Sequence, residues 1–585
     1  MVERWIVESK PSEVFDFYTR ANIGEVFPAP VVPLSFSFGF MNDAGLGAAE
    51  MGFQDAYIRM GAFDADEFPP NEMVFLGVNG GYAYLNASAL RILGHRAPGM
   101  TAADIDAAFF GEALGVPEFV VKDGFDRPDL TEKIGATFGW VLTTDGLPEA
   151  AEDERIMNAL RAARPDIGSL SDRALIERMW ANFDEHFRRV FGQHIYITFL
   201  ASLPLGIITA VCNAVGRPEA VLPLLSGLGD VESAAPSMVM WDLGRQVAAS
   251  PTVSALFGEG GQGLDQRLRA GAAANADVSA LVAAFDRFLY AYGSRGPNEW
   301  ELRSPTWETE PDLALAAVDR MRLSPESSSP HQLNRDRAAE RQALGQEIAA
   351  MVAGDPATQG QFLAALHAAT VFMPGRERTK TNNVKLIQEN RVLAREWGRR
   401  MVVGGYFPRL ESFGMLSRAE MAQVLDDPTG WYDKLAEREK LYDEVLALQE
   451  PFLFVGQPPP MASYPRRDAA VVTKVVAGEE LAGVAGCSGK AVGRARIVLD
   501  SHSPGALAPG DILVAPITDP SWTPLFVPAA AVVVDVGAPL SHAIIVSREL
   551  GIPCVVSVLD ATKRIPDGAL IEVDGDTGTV RILEL

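Results

Sequence analysis

The spacing of apolar residues divides the chain into an irregular first part, a helical middle part and a β-rich end. From about residue 150 to residue 450, apolar residues recur at the spacing of a helix face, most clearly from Asp277 to Tyr290, where Asp277 is the expected cap. Nearer the end, short β-branched runs predict strands at Ala491–Val498, Ile512–Pro516, Val532–Val534, Cys554–Val558 and Ala569–Val573. The pattern predicts an α+β multidomain protein with a large, mainly helical domain and a small C-terminal β/α domain.

A proline-rich stretch separates these two predicted domains. Composition changes after Glu450, and the run Gln-Pro-Pro-Pro-Met-Ala-Ser-Tyr-Pro occupies residues 457–465. Such segments are semi-rigid spacers of about 3.1 Å per residue, so about 20 residues could carry a small domain through about 60 Å. We therefore predict a first domain at residues 1–450, a linker at 451–475 and a small domain at 476–585.

One apolar stretch resembles a membrane span. Residues Ile195 to Gly216 carry no charge, but Pro204 and Gly206 interrupt the run and several hydroxyl residues dilute it. The stretch therefore predicts two buried helices, or one bent helix, inside a helical domain. We expect no membrane partner.

Bulk composition narrows the possible partners. A chain of 585 residues exceeds the roughly 250–300 residues that one core can serve, so several domains are expected. The net charge of −25 disfavours nucleic acid and anionic membranes as partners. Cys212, Cys487 and Cys554 lie far apart, without metal-ligand spacing or a disulfide framework. The start of the chain lacks the apolar core of a secretory signal, so we predict a cytoplasmic protein.

The strongest candidate for chemistry is His542. An apolar run from Ala530 to Val534 predicts a buried strand, and a Gly-Ala-Pro turn from Gly537 ends it. Ser541 is then expected to cap a short helix that Gly551 stops. An anion carried on the His542 ring would be stabilised by the unpaired N–H groups and the positive dipole end of that helix.

These residues also carry a family resemblance. The run Gly-Ala-Pro-Leu-Ser-His-Ala-Ile-Ile-Val-Ser-Arg-Glu-Leu-Gly-Ile-Pro at residues 537–553 resembles the phosphohistidine signature of the phosphoenolpyruvate (PEP)-utilising enzymes. That family includes phosphoenolpyruvate synthase, pyruvate phosphate dikinase, rifampicin phosphotransferase and phenylphosphate synthase. The resemblance implies a small swivelling β/β/α domain in which His542 accepts a phosphoryl group at one site and surrenders it at another. The signature usually has paired glycines where this chain has Val536 and Gly537.

Two further resemblances indicate residues that could bind phosphate or the acceptor, which is the molecule that receives the phosphoryl group. The run from Tyr292 to Trp307 is similar to the family's Tyr-Gly-x-Arg-x-x-x-Glu run, which aligns Arg295 and Glu299. Many relatives have His where this chain has Ser294. A buried Arg295–Glu299 pair that merely holds the loop in shape is the alternative. Near the start, the proline-rich turn around Glu25 resembles the opening of the substrate-binding region in rifampicin phosphotransferase-like proteins, although Glu25 could equally pair with a neighbour.

A basic segment supplies the remaining candidates for phosphate. Residues 376–400 contain eight basic and three acidic residues in a chain that is acidic overall. Arg391 begins an i, i+4, i+8 stripe of arginines, and such a stripe is either a face paired with acidic groups or a phosphate-binding surface. Phosphoryl transfer depends on positioning and charge stabilisation by Arg and Lys. Arg376 and Lys380 also match a recurrent Arg-Glu-Arg-x-Lys run of the family, which makes them the stronger candidates.

Residues that could orient the phosphohistidine lie beside it. Ser541 precedes His542, and the stretch Thr518-Asp-Pro-Ser-Trp-Thr resembles the loop next to the phosphohistidine in relatives. Thr518 or Asp519 could therefore hold the imidazole, although Asp-Pro is also ordinary turn chemistry.

A phosphoryl donor site is not recognisable in the sequence. The glycine-rich stretches at 45–50, 258–263 and 486–490 do not match dinucleotide or P-loop patterns. Nothing resembles an ATP-grasp domain, and the chain ends soon after the phosphohistidine domain, without a PEP-binding barrel. We expect ATP and Mg²⁺ to be bound by a separate ATP-grasp subunit, with AMP and phosphate as the co-products that the resemblance implies. We expect no metal or cofactor to be bound tightly by this chain.

The resulting prediction is the catalytic subunit of an ATP-dependent dikinase. It binds a small hydroxylated, aromatic acceptor in the first domain, residues 1–450, and phosphorylates it through phosphohistidine. Phenylphosphate synthase matches this division of chains best. An antibiotic phosphotransferase, or a component like phosphoenolpyruvate synthase, is one alternative. A regulatory phosphocarrier is another, which the large first domain disfavours because a carrier needs only the small domain.

Overall fold

The computed structural model describes residues 4–42, 44–110, 115–228, 232, 235–467, 473–500, 507–519, 522–537 and 541–585. Its helices are α1 (Ile23–Val26), α2 (Pro33–Ser35), α3 (Ala48–Met60), α4 (Ala87–Arg96), α5 (Ala102–Phe110), α6 (Pro128–Val141), α7 (Pro148–Ala162), α8 (Asp172–Leu200), α9 (Ser202–Ala214), α10 (Val221–Leu224), α11 (Ala235–Ala249), α12 (Pro251–Gly258), α13 (Leu264–Ala272), α14 (Ala276–Tyr292), α15 (Pro311–Leu323), α16 (Pro330–Met351), α17 (Pro356–Val403), α18 (Arg418–Asp426), α19 (Trp431–Leu446), α20 (Thr523–Phe526), α21 (His542–Leu550) and α22 (Ala561–Arg564). Its strands are β1 (Phe17–Thr19), β2 (Met41–Asn42), β3 (Gly45–Leu46), β4 (Leu76–Asn79), β5 (Tyr82–Asn86), β6 (Leu453–Val455), β7 (Glu480–Ala482), β8 (Val484–Cys487), β9 (Lys490–Ile497), β10 (Ile512–Ala515), β11 (Ala531–Val534), β12 (Cys554–Val556), β13 (Leu570–Asp574) and β14 (Thr579–Glu584).

The chain forms two compact units. The first unit comprises Met1–Ser202, Trp300–Ser304 and Arg378–Val471, and the second comprises Leu203–Glu299, Pro305–Glu377 and Val472–Leu585. This division does not follow the predicted boundaries at residues 450 and 475, because half of the predicted helical domain packs with the C-terminal strands. The assignment of residues 1–450 to acceptor binding stays a prediction.

The first unit contains an antiparallel sheet of order β4-β5-β1-β6. Strand β6 lies inside the stretch that we predicted to be a spacer, and its buried Phe454 stacks on Tyr18 with ring centroids 5.0 Å apart. Further along, Met461 and Tyr464 are also buried. The spacer prediction is therefore wrong up to residue 467, because these side chains are buried and Phe454 packs in the sheet. Residues 468–472 lie outside the described residues.

The apolar stretch Ile195–Gly216 forms two helices, as predicted. Helix α8 ends at Leu200 and α9 begins at Ser202. The combined stretch Asp172–Ala214 is long and apolar enough to cross a membrane by length and composition, and half of its most apolar window is buried. Buried core helices meet the same criteria, so the stretch is weak evidence for a membrane span.

The second unit combines the helices from α9 to α16 with an eight-stranded sheet of order β7-β14-β13-β9-β10-β11-β12-β8. Strands β9 to β12 are parallel, and the flanking strands are antiparallel. The five predicted strand regions correspond to β9 through β13, whereas β7, β8 and β14 were not predicted. The cap of α14 is Asn275, whose side chain accepts the N–H groups of Asp277 and Val278, so the expected Asp277 cap is wrong.

One hydrophobic core joins the helices and the sheet of the second unit. Helix α20 packs against α11 and α15, and the buried side chains of Trp522 and Phe526 share a core cluster with Trp241 and Leu315. The two parallel strands β10 and β11 are buried at every position. Because these strands are covered on both faces, their sequences read as continuous apolar runs. The loops after them are consequently held on a rigid base.

Candidate active site

His542 lies beyond the carboxyl end of a parallel strand. Strand β11 ends at Val534, and α21 begins at His542 after Ser541, whose extended backbone (φ −68°, ψ 156°) is that of a helix N-cap. Gly551, with φ 65°, ends the helix as predicted. Residues 538–540 of the signature lie outside the described residues. Loops at the carboxyl ends of parallel strands are the usual binding position in such sheets.

Two threonine hydroxyl groups hold the imidazole. Nδ1 of His542 lies 3.0 Å from Oγ1 of Thr518, and Nε2 lies 3.0 Å from Oγ1 of Thr523. The ring of Phe526 meets the imidazole edge-on, with centroids 5.9 Å apart. A neutral imidazole has one N–H donor and one acceptor nitrogen, so one hydroxyl accepts a hydrogen bond and the other donates one. Thr518 therefore contacts the ring as the sequence indicated.

Thr523 is a site residue that sequence reasoning missed. It is fully buried as the first residue of α20, and it ends the same Thr-Asp-Pro-Ser-Trp-Thr stretch from which Thr518 was chosen. Threonine at the start of a short helix reads as a cap, so the sequence alone offered no signal for contact with a histidine 19 residues later. That either hydroxyl orients the ring for phosphoryl transfer stays a prediction.

Asp519 makes a hydrogen bond to a neighbouring loop, and its predicted role in orienting the imidazole stays a prediction. Its Oδ2 accepts the backbone N–H of Asn298 at 3.0 Å, and Asn298 has a left-handed backbone with φ 49°. This hydrogen bond joins the loop that carries Thr518 to the loop that carries Arg295 and Glu299. Asp519 thus links two family-like loops within the second unit.

Arg295 and Glu299 form a buried ion pair. Nη1 of Arg295 donates to Oε1 of Glu299 at 3.0 Å, and both side chains are at most 2% exposed. The pair matches the structural alternative of a locked loop. Removing one partner of such a pair costs about 3–5 kcal/mol because the other charge stays buried. A role of either residue in binding phosphate or acceptor stays a prediction.

The expected hydroxyl cap at Ser541 is not formed. Ser541 occupies the N-cap position, but its side chain makes no capping hydrogen bond. Its Oγ is buried without a hydrogen-bond partner among the described residues. The prediction of a side-chain cap is therefore wrong. The hydroxyl lies instead beside His542 at the helix N-terminus, where the oxygens of an anion on the ring would be expected.

The far end of α21 contains buried charges. Arg376 contacts Glu377 at 3.3 Å and lines a small recess with Ile545 and Arg548 of α21. Burial lowers the pKa of Arg548 and raises the pKa of Glu549 to about 7. Arg376 therefore lies against α21, beyond its first turn. Whether it serves phosphate stays a prediction.

The other predicted phosphate and acceptor residues belong to the first unit. Lys380 is half-buried on α17, and the boundary between the units passes between it and Arg376. Arg391 is fully buried, where it donates to the side chain of Gln388 at 2.8 Å and to the carbonyl oxygen of Glu301 at 3.0 Å. Glu25 is half-buried on α1. Their predicted binding roles are not tested by these contacts.

The three arginines of the stripe on α17 lie in different environments. Arg391 is buried, whereas Arg395 is 13% exposed and Arg399 is 57% exposed and bonded to Glu396 at 2.8 Å. The long helix passes from the core of the first unit toward solvent, so side chains at one helical spacing meet different surroundings. The outer end of the stripe matches the ion-pair alternative.

No group of three or more His, Cys, Asp and Glu side chains that could hold a metal ion occurs in the part of the chain that the structure describes. The three cysteines are free and buried.

Two family models match segments that lie mostly in the second unit. Residues 193–377 match the model of the rifampicin phosphotransferase fourth domain, and residues 507–578 match that of the PEP-utilising enzyme mobile domain. An uncharacterized protein of Mycobacterium tuberculosis is 33% identical over 345 residues, covering 58% of this chain and 36% of that protein. The prodigiosin synthesizing transferase of Serratia marcescens is 32% identical over 317 residues (51% and 33%). The rifampicin phosphotransferase of Streptomyces sviceus is 28% identical over 310 residues (51% and 34%).

The fold and the site define a class of protein. In this class, a group of helices packs with a small β/α domain in which a histidine lies at the start of a helix. These matches confirm, for residues 193–377 and 507–578, the resemblance to the PEP-utilising enzymes seen in the signature. The chain spans about a third of the length of these relatives.

Proposed function

We propose that the chain is a phosphotransferase component that carries a phosphoryl group on His542 and passes it to the hydroxyl group of a small, aromatic acceptor. The observation that supports this most is the position of His542 at the start of α21, with both ring nitrogens held by buried threonine hydroxyls. A ring in a fixed orientation at a positive helix end is suited to accept and release an anionic group.

The proposed transfer has two displacement steps. In the first, the lone pair of an imidazole nitrogen attacks phosphorus, and the P–O bond of the donor breaks with its electrons on the leaving oxygen. In the second, the acceptor oxygen attacks phosphorus, the P–N bond breaks, its electrons return to the ring, and a base takes the hydroxyl proton. Dividing one transfer into two easier steps is the use of covalent catalysis.

The chain's own groups would assist both steps. The N–H groups of the first turn of α21 and the Ser541 hydroxyl are donors for the oxygens of phosphohistidine. Thr518 and Thr523 would keep the reacting nitrogen aimed at phosphorus, since the hydroxyls can exchange donor and acceptor roles as the ring changes protonation. Each contribution acts on His542 in the second unit.

For the donor, we propose a separate ATP-grasp subunit that binds ATP with Mg²⁺ and charges His542, with one water molecule consumed and AMP and phosphate released. The sequence lacks recognisable P-loop and ATP-grasp motifs, which supports this division. The test is to incubate the purified chain with ATP, Mg²⁺ and candidate acceptors, without a second protein, and to follow nucleotide consumption. We expect none, and robust ATP-dependent phosphorylation would contradict the proposal. A cytoplasmic location stays part of this proposal.

A second acceptor class has specific support. The match of residues 193–377 to the rifampicin phosphotransferase fourth domain favours a bulky antibiotic hydroxyl as an alternative acceptor. Chain charged at His542 with phosphoramidate, a small-molecule phosphoryl donor, can be offered phenol, pyruvate and rifampicin in parallel. Loss of the acid-labile phosphate to phenol supports the aromatic acceptor, whereas discharge to rifampicin alone supports the antibiotic reading.

A further inference from the structure

Two of the three free cysteines lie opposite each other in the sheet of the second unit. Cys487 ends β8 and Cys554 begins β12, and the two residues are register partners in this antiparallel pair. Directly opposed residues of an antiparallel pair have Cα atoms about 4.5–5.5 Å apart, and a disulfide spans about 4.4–6.8 Å between Cα atoms. The fold therefore brings two cysteines that are distant in the sequence to a separation that one disulfide can bridge.

Both cysteine side chains lie on the same face of the sheet. Cys487 and Cys554 belong to the hydrophobic core that includes Ile544 of α21, whereas Val555, the next residue of β12, belongs to the core on the opposite face. Side chains alternate between the two faces along a strand, which explains this division. The S–H group of Cys487 donates to the carbonyl oxygen of Ser547 on α21, with 3.4 Å between sulfur and oxygen. The two thiols therefore share the space between the strands and α21.

The sulfur of Cys554 lies over the backbone next to Cys487. Val555 pairs with Ala485, so Gly486 is the extra residue of a β-bulge between the two register pairs. A Cβ atom added at Gly486 would lie 3.3 Å from Sγ of Cys554. Because glycine has no side chain, nothing from the bulged residue separates the two cysteines.

Burial keeps both thiols protonated while the sheet is closed. Cys487 is 4% exposed and Cys554 is fully buried, and burial raises the pKa of Cys487 to about 11 and that of Cys554 to about 12. The thiolate is the form that reacts with disulfides, so oxidation needs a local opening. Strand β8 is four residues long and stands at the end of the sheet order. A short edge strand opens at a lower free energy than the centre of a sheet, which gives an oxidant access.

We propose that Cys487 and Cys554 form a reversible disulfide that ties β8 to β12 beneath α21, with a low-molecular-weight disulfide as the oxidant. The inference does not rest on the proposed function. Disulfides of proteins in reducing compartments are usually transient and respond to the redox state of the cell. The pair would be such a redox-responsive site, in the layer of strands on which the helix of His542 packs.

The bond would form by two exchange steps. In the first, Cys487 loses its proton and its thiolate attacks one sulfur of the small disulfide, whose S–S bond breaks with its electrons on the departing thiolate. In the second, the thiolate of Cys554 attacks the sulfur of Cys487 and displaces the other small thiolate. Each departing thiolate takes up one proton. Two protein thiols are thereby oxidised to one disulfide, and one small disulfide is reduced to two thiols.

The first measurement counts the thiols of the full-length chain. The folded chain is incubated with oxidised glutathione, quenched in acid, unfolded and alkylated with N-ethylmaleimide, and its intact mass is recorded. We expect three alkyl groups before oxidation and one after it, on Cys212, with peptides containing Cys487 and Cys554 joined and with dithiothreitol restoring all three. A chain that keeps three reactive thiols, carries glutathione in place of the bond, or forms a bond that includes Cys212 overturns the proposal.

Substitution of single cysteines supplies the matched comparison. Cys487→Ala and Cys554→Ala should each abolish the intrachain bond, whereas Cys212→Ala should leave it unchanged, because Cys212 is equally buried but lies on α9. Melting temperatures show whether each variant is folded, and Cys487→Ser or Cys554→Ser replaces an alanine variant that does not fold. An intrachain bond that persists without Cys487 or without Cys554 overturns the assignment of the pair.

The second measurement tests whether the fold already holds the pair in bonding geometry. If it does, the bond and the native state stabilise each other, since a disulfide restricts the unfolded chain. In Cys212→Ala, which retains only the pair, the oxidised protein should melt several degrees above the reduced protein. In glutathione buffers, the ratio of squared thiol to disulfide concentration at half oxidation should be at least about 10-fold higher for the folded chain than for the chain in denaturant. An oxidised protein that melts at the same or a lower temperature, or equal ratios in the two states, would overturn the proposal.

Discussion

Removal of the two hydroxyls that hold His542 should slow phosphoryl transfer without unfolding the protein. Thr518→Val and Thr523→Val each replace a hydroxyl by a methyl group in a buried side chain and abolish one 3.0 Å contact with the imidazole. A neutral hydrogen bond is worth about 0.5–1.5 kcal/mol, which corresponds to about 2–12-fold in a rate if the bond is used to position the ring. If the two contacts are independent, the double variant should lose about 5–150-fold.

The assay is the rate at which phosphoramidate charges each variant, followed by intact mass. Thr577→Val is the control, because Thr577 bonds to Thr579 on an exposed turn of the same sheet. A thermal melt of each protein accompanies the rates. Unchanged charging in the double variant would refute the orienting role, and a rate loss that only tracks a lower melting temperature would show that the threonines serve packing instead.

Two further predictions concern stability. Phe454→Ala should lower stability by about 3–5 kcal/mol, because Phe454 is 5% exposed and stacks on Tyr18, whereas Val455→Ala on the same strand, 49% exposed, should change the melting temperature little. If both substitutions changed the melting temperature equally little, the interpretation of residues 451–475 as a spacer would be supported again. Burial raises the pKa of Glu549 to about 7, so the folded state holds this proton more tightly than the unfolded state, and the contribution is full below about pH 4.5 and lost as pH rises toward 7. The unfolding free energy of the wild type should therefore fall by up to about 3 kcal/mol across that window, and Glu549→Gln should make its dependence on pH flatter. Denaturant titrations at several pH values measure both dependences, and parallel curves for wild type and variant would contradict the prediction.

Local sequence signals predicted what lies close together along the chain. The helix that begins at His542 was predictable because a buried strand, a turn and Gly551 occur within about one helix length of it. Strands β10 and β11 were predictable from their continuous apolar runs. The contact of Thr518 with the imidazole followed from the family resemblance of its loop.

Contacts between distant segments could not be predicted in this way. Composition marked residues 451–475 as a spacer, because no local signal shows that Phe454 pairs with a strand formed more than 400 residues earlier. The side chain of Ser541 makes no capping hydrogen bond, and this depends on tertiary surroundings that the local sequence does not show. The contact of His194 with Thr379 joins residues 185 positions apart, and Thr379 occupies only the variable position of the Arg-Glu-Arg-x-Lys run.

The measurement that tests the central claim most directly is the location of the phosphoryl group after the chain is charged with phosphoramidate. The account predicts one phosphoryl group per chain that is labile in acid, stable in alkali, mapped to His542, and absent from His542→Ala. The same amount of label in His542→Ala, or a label mapped to any other residue of the wild-type chain, would contradict the account.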